Sequence, residues 1–358
     1  MKQYRTKLRS PLAIAAALSI AAISLGACSS SSSSSPSTTA ANGTVNAGNI
    51  SIGYENNGAD PSLLSVSKGY FKDRLGSGVS LKLFDSGVAA LSALASGQLP
   101  FMCGLGFPPV ISAIAKGVPL AVIFNQERYT ENAGLVVKTS SGINSVADLK
   151  GKKVALVIGS QASFELATYA KNAGLDLSTV TQINMTPPEI RSAWTQGSID
   201  AAVIWSPVFD ALSAANGKVV QTDANLPVTG TSYNICVANT DYAKAHPAVA
   251  AAFVKALDDG VQYYQSNPTQ ATQDMATAAG IDLATAKSNI AGYHFYTASD
   301  QATADVLGTS KATSGTSGTA QSLLNNWKAL FAAGTQTSAV PSSVAANVDP
   351  TYAALLSK

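Results

Sequence analysis

Four short segments carry the residue types that hold a small anion: Asp85-Ser86-Gly87, Gly104-Leu105-Gly106-Phe107, Gly159-Ser160-Gln161-Ala162-Ser163 and Trp205-Ser206. Each lies between an apolar run of strand length and a helical pattern. At such a junction the first N–H groups of the helix lack intrahelical partners, and the positive helix end points outward. Glycine lets a ligand approach the backbone, and serine adds a hydroxyl donor. Together the junctions would form an anion-binding surface without a charged side chain. A single serine before a helix is more often an ordinary cap, so the signal lies in the set. Ser86, Gly87, Gly106, Ser160, Gln161 and Ser163 are the candidate binding residues. Phe107 and Trp205 are either core residues or a facing pair over an apolar part of the ligand, and Tyr54, ending the first strand, is a similar candidate.

Catalysis has less to stand on. There are two histidines, His246 before Pro247 and His294 in Tyr293-His294-Phe295-Tyr296. Neither stands beside a cysteine or carboxylate at metal-ligand spacing. No Gly-x-Ser-x-Gly, phosphate-loop lysine motif or dinucleotide fingerprint is present, and Gly104-Leu105-Gly106 alone is weak. The reading is solute binding, not an enzyme, with no cofactor and no metal.

The elements that must position these segments alternate. Strands are expected at Asn49–Tyr54, Val79–Phe84, Phe101–Gly104, Leu120–Phe124 and Ala133–Lys138, with helices at Gly87–Ser96 and about Pro109–Ala115. The pattern then restarts, with strands at Lys153–Val157, Thr181–Asn184 and Ala201–Ile204, and helices at Ser163–Ala173, Pro187–Gln196 and from Pro207 to about Asn216. Strand–helix alternation of this length means an α/β protein with mostly parallel sheets. The second round repeats the layout of the first. Leu94 to Phe101 followed by Phe107-Pro108-Pro109 parallels Trp194 to Ala201 followed by Trp205-Ser206-Pro207. Each copy has a glycine stopping a helix, a short strand, an aromatic and a proline that starts the next helix. Two matching lobes follow. After one more strand, Tyr233–Ala238, the chain turns helical at Pro247–Ser266, Pro268–Ala279, Leu283–Ala291 and Ala320–Ala333, with a Gly/Ser/Thr stretch, Thr309–Thr319, expected to be a mobile loop.

The chain opens with Lys2, Arg5, Lys7 and Arg9, an apolar run Leu12–Ile23, and Leu25-Gly26-Ala27-Cys28. A basic start, a short apolar stretch and a small-residue cleavage site form a secretory signal. The apolar run falls short of the roughly 20 residues that span a bilayer. Leu-Gly-Ala-Cys resembles the bacterial lipobox, which implies acylation of Cys28 and a lipid tether of the kind that two or more chains make stable. Removing the signal takes 4 of the 23 basic residues and none of the 21 acidic ones, leaving 19 against 21, a net charge of −2. That balance excludes an electrostatic footprint for nucleic acid. Ser29 to Ser35 and the polar residues after it read as a flexible leash. Cys103 and Cys236, in an exported chain, are either a disulfide or two buried thiols, and the packing of cysteine as a small apolar residue puts the thiols first.

Lys82-Leu83-Phe84-Asp85-Ser86-Gly87, Ala93 to Gly97, Leu135-Val136-Val137-Lys138 and Asp148-Leu149-Lys150-Gly151-Lys152 resemble the nitrate/sulfonate/taurine family of periplasmic binding proteins. Pro187-Pro188, Ala193-Trp194, Gly197 to Ala201 and Trp205-Ser206-Pro207 extend the resemblance, which is greatest to the taurine-binding members. It implies a two-lobed flytrap fold of type II with the ligand cleft between the lobes and a helical C-terminal tail on the first lobe. The implied division is signal 1–27, lipidated linker 28–48, first lobe 49–138 and 230–358, and second lobe 139–229. It also implies a monomeric receptor of an ABC importer, with a permease and its ATPase as partners. The anionic head of the ligand would meet Ser86, Gly87, the Gly106–Pro108 loop and Ser160–Ser163, with Trp205 as the cleft aromatic.

Two positions depart from the taurine-type pattern. Phe107-Pro108 stands where those members resemble Ser-Ser, and a proline supplies neither hydroxyl nor N–H. Each charge-assisted bond lost to an anion costs about 1.5–3 kcal/mol. Asn234 stands where they resemble an aspartate that pairs with an amine, and nearby Glu55 is the candidate substitute. The expected ligand is therefore a small anionic or zwitterionic solute: taurine, another sulfonate or a different small organic anion. A fungal branch of the fold makes the thiamine pyrimidine and consumes its own histidine; it supplies the enzyme alternative, and a surface sensor is the third reading. Ser29 after Cys28 and the serine leash favour the outer face of a Gram-positive membrane over a Gram-negative periplasm.

Overall fold

The computed structural model describes residues 43–225, 232–332 and 334–356; the signal segment, Cys28 and the serine leash lie outside them. Eleven strands form: β1 (Ile50–Tyr54), β2 (Val79–Leu83), β3 (Phe101–Leu105), β4 (Leu120–Tyr129), β5 (Ala133–Lys138), β6 (Lys153–Leu156), β7 (Thr181–Asn184), β8 (Ala201–Trp205), β9 (Gly217–Thr222), β10 (Ser232–Asn239) and β11 (Tyr293–Phe295). They make a six-stranded sheet in the order β11-β4-β10-β3-β1-β2 and a five-stranded sheet in the order β7-β6-β8-β5-β9. Each sheet is the centre of one lobe. The expected mostly parallel sheets are in fact mixed. β1 pairs parallel with β2 and β3, and β6 with β7 and β8, but β4, β5, β9, β10 and β11 all run antiparallel to their neighbours. The antiparallel strands flank the two places where the chain changes sheet, after β4 and before β10.

That crossing corrects one boundary. Ala133–Lys138, expected at the end of the first lobe, is β5 and lies inside the second sheet between β8 and β9. The short link from Tyr129 to Ala133 carries the chain across. The start of the body also shifts. Val45 and Ala47 donate their N–H groups to Arg74 and Leu75 carbonyls and pack on the first-lobe core, so part of the expected linker is docked.

Helices cover both faces of each sheet, because strand side chains alternate and both faces are apolar. In β5, Leu135 and Val137 join the core under the helix Gln161–Asn172, and Val136 joins the opposite core with Ile190, Trp194 and Phe209. In the first lobe, Phe101 stacks on Phe253 of the long helix Pro247–Ser266, their ring centroids 4.2 Å apart, while Met102 faces the other core with Val110 and Trp327. Gly104 interrupts the alternation of β3. Its φ of +91° is open to glycine, and an added Cβ would stand 2.7 Å from Cβ of Glu55.

The stretch Thr309–Thr319 is not the loose loop its composition implies. Ser314, Ser317 and Thr319 are buried. The hydroxyl of Ser314 donates to the Lys311 and Ala345 carbonyls, and Thr319 accepts from Asn125. Hydroxyls satisfied within the protein allow a polar segment to be buried. His294, expected in a helical tail, is on edge strand β11 beside Arg128 of β4.

Cys103 and Cys236 form a disulfide, with Cα atoms 4.0 Å apart on neighbouring strands β3 and β10. This overturns the preference for free thiols: both side chains point into the same face of one sheet, which a sequence reading cannot show. The bridge spans a sequence separation of 133 residues, which places it among the long-loop cross-links that stabilise by about 2–5 kcal/mol. In a Cys28→Ser background, thiol titration of the unfolded, unreduced chain is expected to find no free thiol. Replacing Cys103 and Cys236 by Ala is expected to lower unfolding stability by that amount in urea titrations; two titratable thiols, or an unchanged midpoint, would contradict the bridge.

Candidate functional site

The cleft runs between the carboxyl ends of strands from both sheets, the edge where ligands sit in open α/β folds. From the first lobe come the N-terminus of helix Gly87–Ala95, preceded by Ser86, and that of helix Phe107–Ala115, capped by Gly106. Neither start has a side-chain capping bond; the Gly87 and Val88 N–H groups lead the first, while the second offers the N–H of Phe107 alone in its first three positions, because Pro108 and Pro109 have none. From the second lobe comes the N-terminus of helix Gln161–Asn172, where the Ser160 hydroxyl accepts from Ala162 N–H. The expectation that any one serine is an ordinary cap holds for Ser160. Ser163 is also occupied: its hydroxyl accepts from Gly159 N–H at 2.9 Å and lies 3.3 Å from the Val157 carbonyl.

The two lobes touch. A Cβ on Gly106 would stand 3.0 Å from Cβ of Gln161 across the cleft, and one on Gly159 would stand 3.6 Å from Val88. The Asn289 amide donates to Asp210 at 3.1 Å, tying the first-lobe tail to the second lobe. This closed arrangement leaves an inner cavity of about 20 Å³ bounded by Glu55, Asn57, Gly87, Gly104, Gly106, Pro109, Tyr129, Ser160, Gln161, Trp205 and Asn234. An outer cavity of about 610 Å³ is bounded by Glu55, Asn56, Leu83, Phe84 and Asp85 of the first lobe and by Trp205, Pro207, Val208 and the helix Pro187–Gln196 of the second. That volume is in the range of small-molecule sites.

Of the sequence candidates, Glu55, Gly87, Gly106, Ser160, Gln161, Trp205 and Asn234 therefore meet around one space, and Glu55 and Trp205 border both cavities. Four do not border it. Phe107 is 1% exposed and packs on Tyr233, so it does not face Trp205 as a pair. Tyr54 packs on the first-lobe core, Ser163 holds its own loop, and Ser86 is represented at the cavity by its neighbour Gly87. Sequence reasoning missed the face of helix Pro187–Gln196 formed by Pro187, Pro188, Arg191, Ser192, Thr195 and Gln196. Their spacing of one and four residues is a single helical face, a signal legible in the sequence. Asn57 and Tyr129 were missed as well.

Burial dominates the electrostatics. Glu55 is buried beside Asp85, and both desolvation and that negative neighbour push its carboxyl well above the usual range. Glu127, also buried, is raised by desolvation and by Asp60, with partial relief from the Asn234 amide that donates to it. Desolvation pushes Asp60 up to about 6 against the lowering effect of its hydrogen bonds with Ser62. Behind Gln161 sits a second acid pair. Gln161 donates to the Ser232 hydroxyl, Ser232 donates to Asp223, and Tyr169 donates to the other Asp223 oxygen at 2.6 Å. Desolvation pushes Asp223 up to about 6, and it raises Glu165 well above the usual range with Asp223 adding to the effect.

Asp223 yields a pH prediction. In the folded chain it keeps its proton up to about pH 6, whereas an unfolded aspartate releases it near about 3.9. Between those values the folded state binds more protons than the unfolded one. The stability gained is present in full below about pH 4 and is lost as pH rises through 6. Thermal midpoints of Asp223→Asn are expected to fall less steeply than wild type from pH 4 to 6; parallel curves would refute the assignment.

Comparison with known proteins places this geometry. A taurine-binding periplasmic protein of Escherichia coli (strain K12) is 31% identical over 220 residues, which span 61% of this chain and 67% of that protein. The periplasmic aliphatic sulphonate binding protein of Escherichia coli has the same fold, with a TM-score of 0.63 at 22% identity, over 84% of this chain and 91% of that one. The alkanesulfonate-binding protein of Xanthomonas axonopodis pv. citri matches with a TM-score of 0.59 at 24% identity, over 73% of this chain and 92% of the other. The family model described as NMT1/THI5 like matches residues 57–271, most of both lobes, and the chain belongs to that family.

Proposed function

We propose that the protein is the extracytoplasmic solute-binding lipoprotein of an ABC importer. It holds taurine, a related sulfonate or another small organic anion between its two lobes. The observation that carries this reading is the meeting of three helix N-termini, at Gly87, Gly106 and Ser160, from two lobes around one cavity. Unpaired N–H groups and positive helix ends on both sides of a closing cleft suit an anionic head that neither lobe would hold alone. The taurine-binding relative supports the same ligand class. His246 and His294 border neither cavity, which weighs against a reaction that consumes a cleft histidine.

A ligand that binds only the folded chain stabilises it, by about 2.7 kcal/mol at a hundredfold excess over its Kd. Melting curves with taurine, alkyl and aryl sulfonates, nitrate, sulfate and aromatic carboxylates are expected to shift upward with at least one sulfonate. An unmoved Tm across all of the sulfonates would remove that ligand class.

Tethering belongs to the same proposal. Cys28, acylated and made the new N-terminus by removal of residues 1–27, would keep the receptor on the outer face of a membrane, beside its permease and ATPase, with a Gram-positive surface favoured by the serine leash. Metabolic labelling with palmitate is expected to mark the wild-type chain and not Cys28→Ala, which should leave the detergent phase on phase separation. An unlabelled wild type would end the lipoprotein reading.

A further inference from the structure

We propose that Glu55 determines specificity by receiving an ammonium group of the ligand, so that the solute is a zwitterion rather than a simple anion. The inference rests on the cleft being the solute site and assigns one subsite within it. Glu55 follows β1 directly, is 5% exposed and borders both the inner and the outer cavity. Its Oε1 is buried without a hydrogen-bond partner, and no salt bridge among the described residues reaches it. A carboxyl buried in that condition holds its proton more tightly than usual, and a positive group supplied by the ligand favours its ionised form and pairs with it.

The position of the carboxyl matters as much as its isolation. A Cβ added to Gly87 would lie 3.0 Å from Glu55 Oε1, so the acid stands at the helix start expected to receive an anion. Asp85, two residues before Gly87, adds a second negative charge to the same wall of the outer cavity. A ligand with only negative charge would meet the helix N–H groups and be repelled by Glu55 together. A ligand with an ammonium a few bonds from its anionic head would satisfy both. The opposite wall carries the complementary charge: Arg191 borders the outer cavity and has no salt bridge among the described residues. Asn234 does not replace Glu55, because its amide donates to Glu127.

Calorimetry on the detergent-solubilised full lipoprotein, with four probes, separates this subsite from the sulfonate reading. The probes are 2-aminoethanesulfonate, ethanesulfonate, 3-aminopropanoate and propanoate. The ammonium-bearing member of at least one pair is expected to bind about 30-fold or more tighter than its amine-free partner, the scale of a desolvated charge pair. Glu55→Gln should abolish that preference by weakening the amine-bearing probe, leaving the amine-free one unchanged or tighter. Glu55→Asp, which keeps the charge, should retain part of the preference. Because glutamine replaces an unpaired buried carboxyl without changing its shape, the unliganded variant should melt no lower than wild type. Equal binding within both pairs, equal weakening of both members by Glu55→Gln, or no binding of any probe would overturn the assignment. A preference seen only in the carboxylate pair would keep Glu55 in its role and instead refute the sulfonate reading.

Discussion

The pairing on which the rest of the molecule depends is the insertion of β10 between β3 and β4. The chain leaves the first sheet after β4, builds the second lobe, and returns to fill a slot in the middle of the sheet it left. Without that strand the first sheet would separate into β11-β4 and β3-β1-β2, each with a buried edge of unpaired N–H and C=O groups. The Cys103–Cys236 bridge fastens the returning strand to its neighbour. The same strand then serves the cleft: Asn234 borders the inner cavity, and Ser232 receives Gln161 from the second lobe and hands a hydrogen bond on to Asp223. One strand of eight residues thus closes the sheet and supplies one of the contacts between the lobes.

That economy sets the conditions for motion. Parting the lobes must break the Gln161–Ser232 and Asn289–Asp210 bonds and separate Gly106 from Gln161. On the described side of the crossing, the backbone changes sheet at Thr130 to Asn132, between β4 and β5. Hinges of a few element-terminal residues of this kind are the usual basis of domain closure. The carboxyls around the cleft divide on the same lines. Glu127, Asp60 and Asp223 each accept a hydrogen bond from Asn234, Ser62 and Tyr169 respectively, so they belong to the frame. Glu55 is the buried acid facing the cleft with no such bond.

Much of this was legible in the residues. Apolar runs bounded by glycine and proline located β1 to β8, and the glycine and serine junctions located the helix starts that line the cleft. The errors have particular physical causes. β5 reads as a strand, but which sheet it joins depends on the antiparallel partners β8 and β9, far from it in sequence. Cys103 and Cys236 read as small buried residues, and only the cross-chain register brings them together. Thr309–Thr319 has the composition of a loop because its burial rests on hydroxyl hydrogen bonds rather than apolar area. The face of Pro187–Gln196 is periodic within the helix, but that it borders the cleft depends on Leu83, Phe84 and Asp85 of the first lobe, far from it in sequence.

The distribution of charge between the lobes also bears on how recognition and closure are joined. A ligand shifts the balance between open and closed forms only by the difference in its affinity for the two. A solute that engaged one lobe alone would bind the open form as well as the closed one and move nothing. Here the acidic wall of Glu55 and Asp85 lies on the first lobe and Arg191 on the second, with helix N-termini contributed by both. A solute with one sign of charge finds favourable partners and a repelling wall in the same cleft, so closing around it gains little. A zwitterion short enough to sit beside Glu55 while its anion meets the helix starts gains from both lobes only when they meet. On the proposed assignment of Glu55, selectivity would reside in the closing step, and a substitution there would change which solutes close the cleft more than which can enter it.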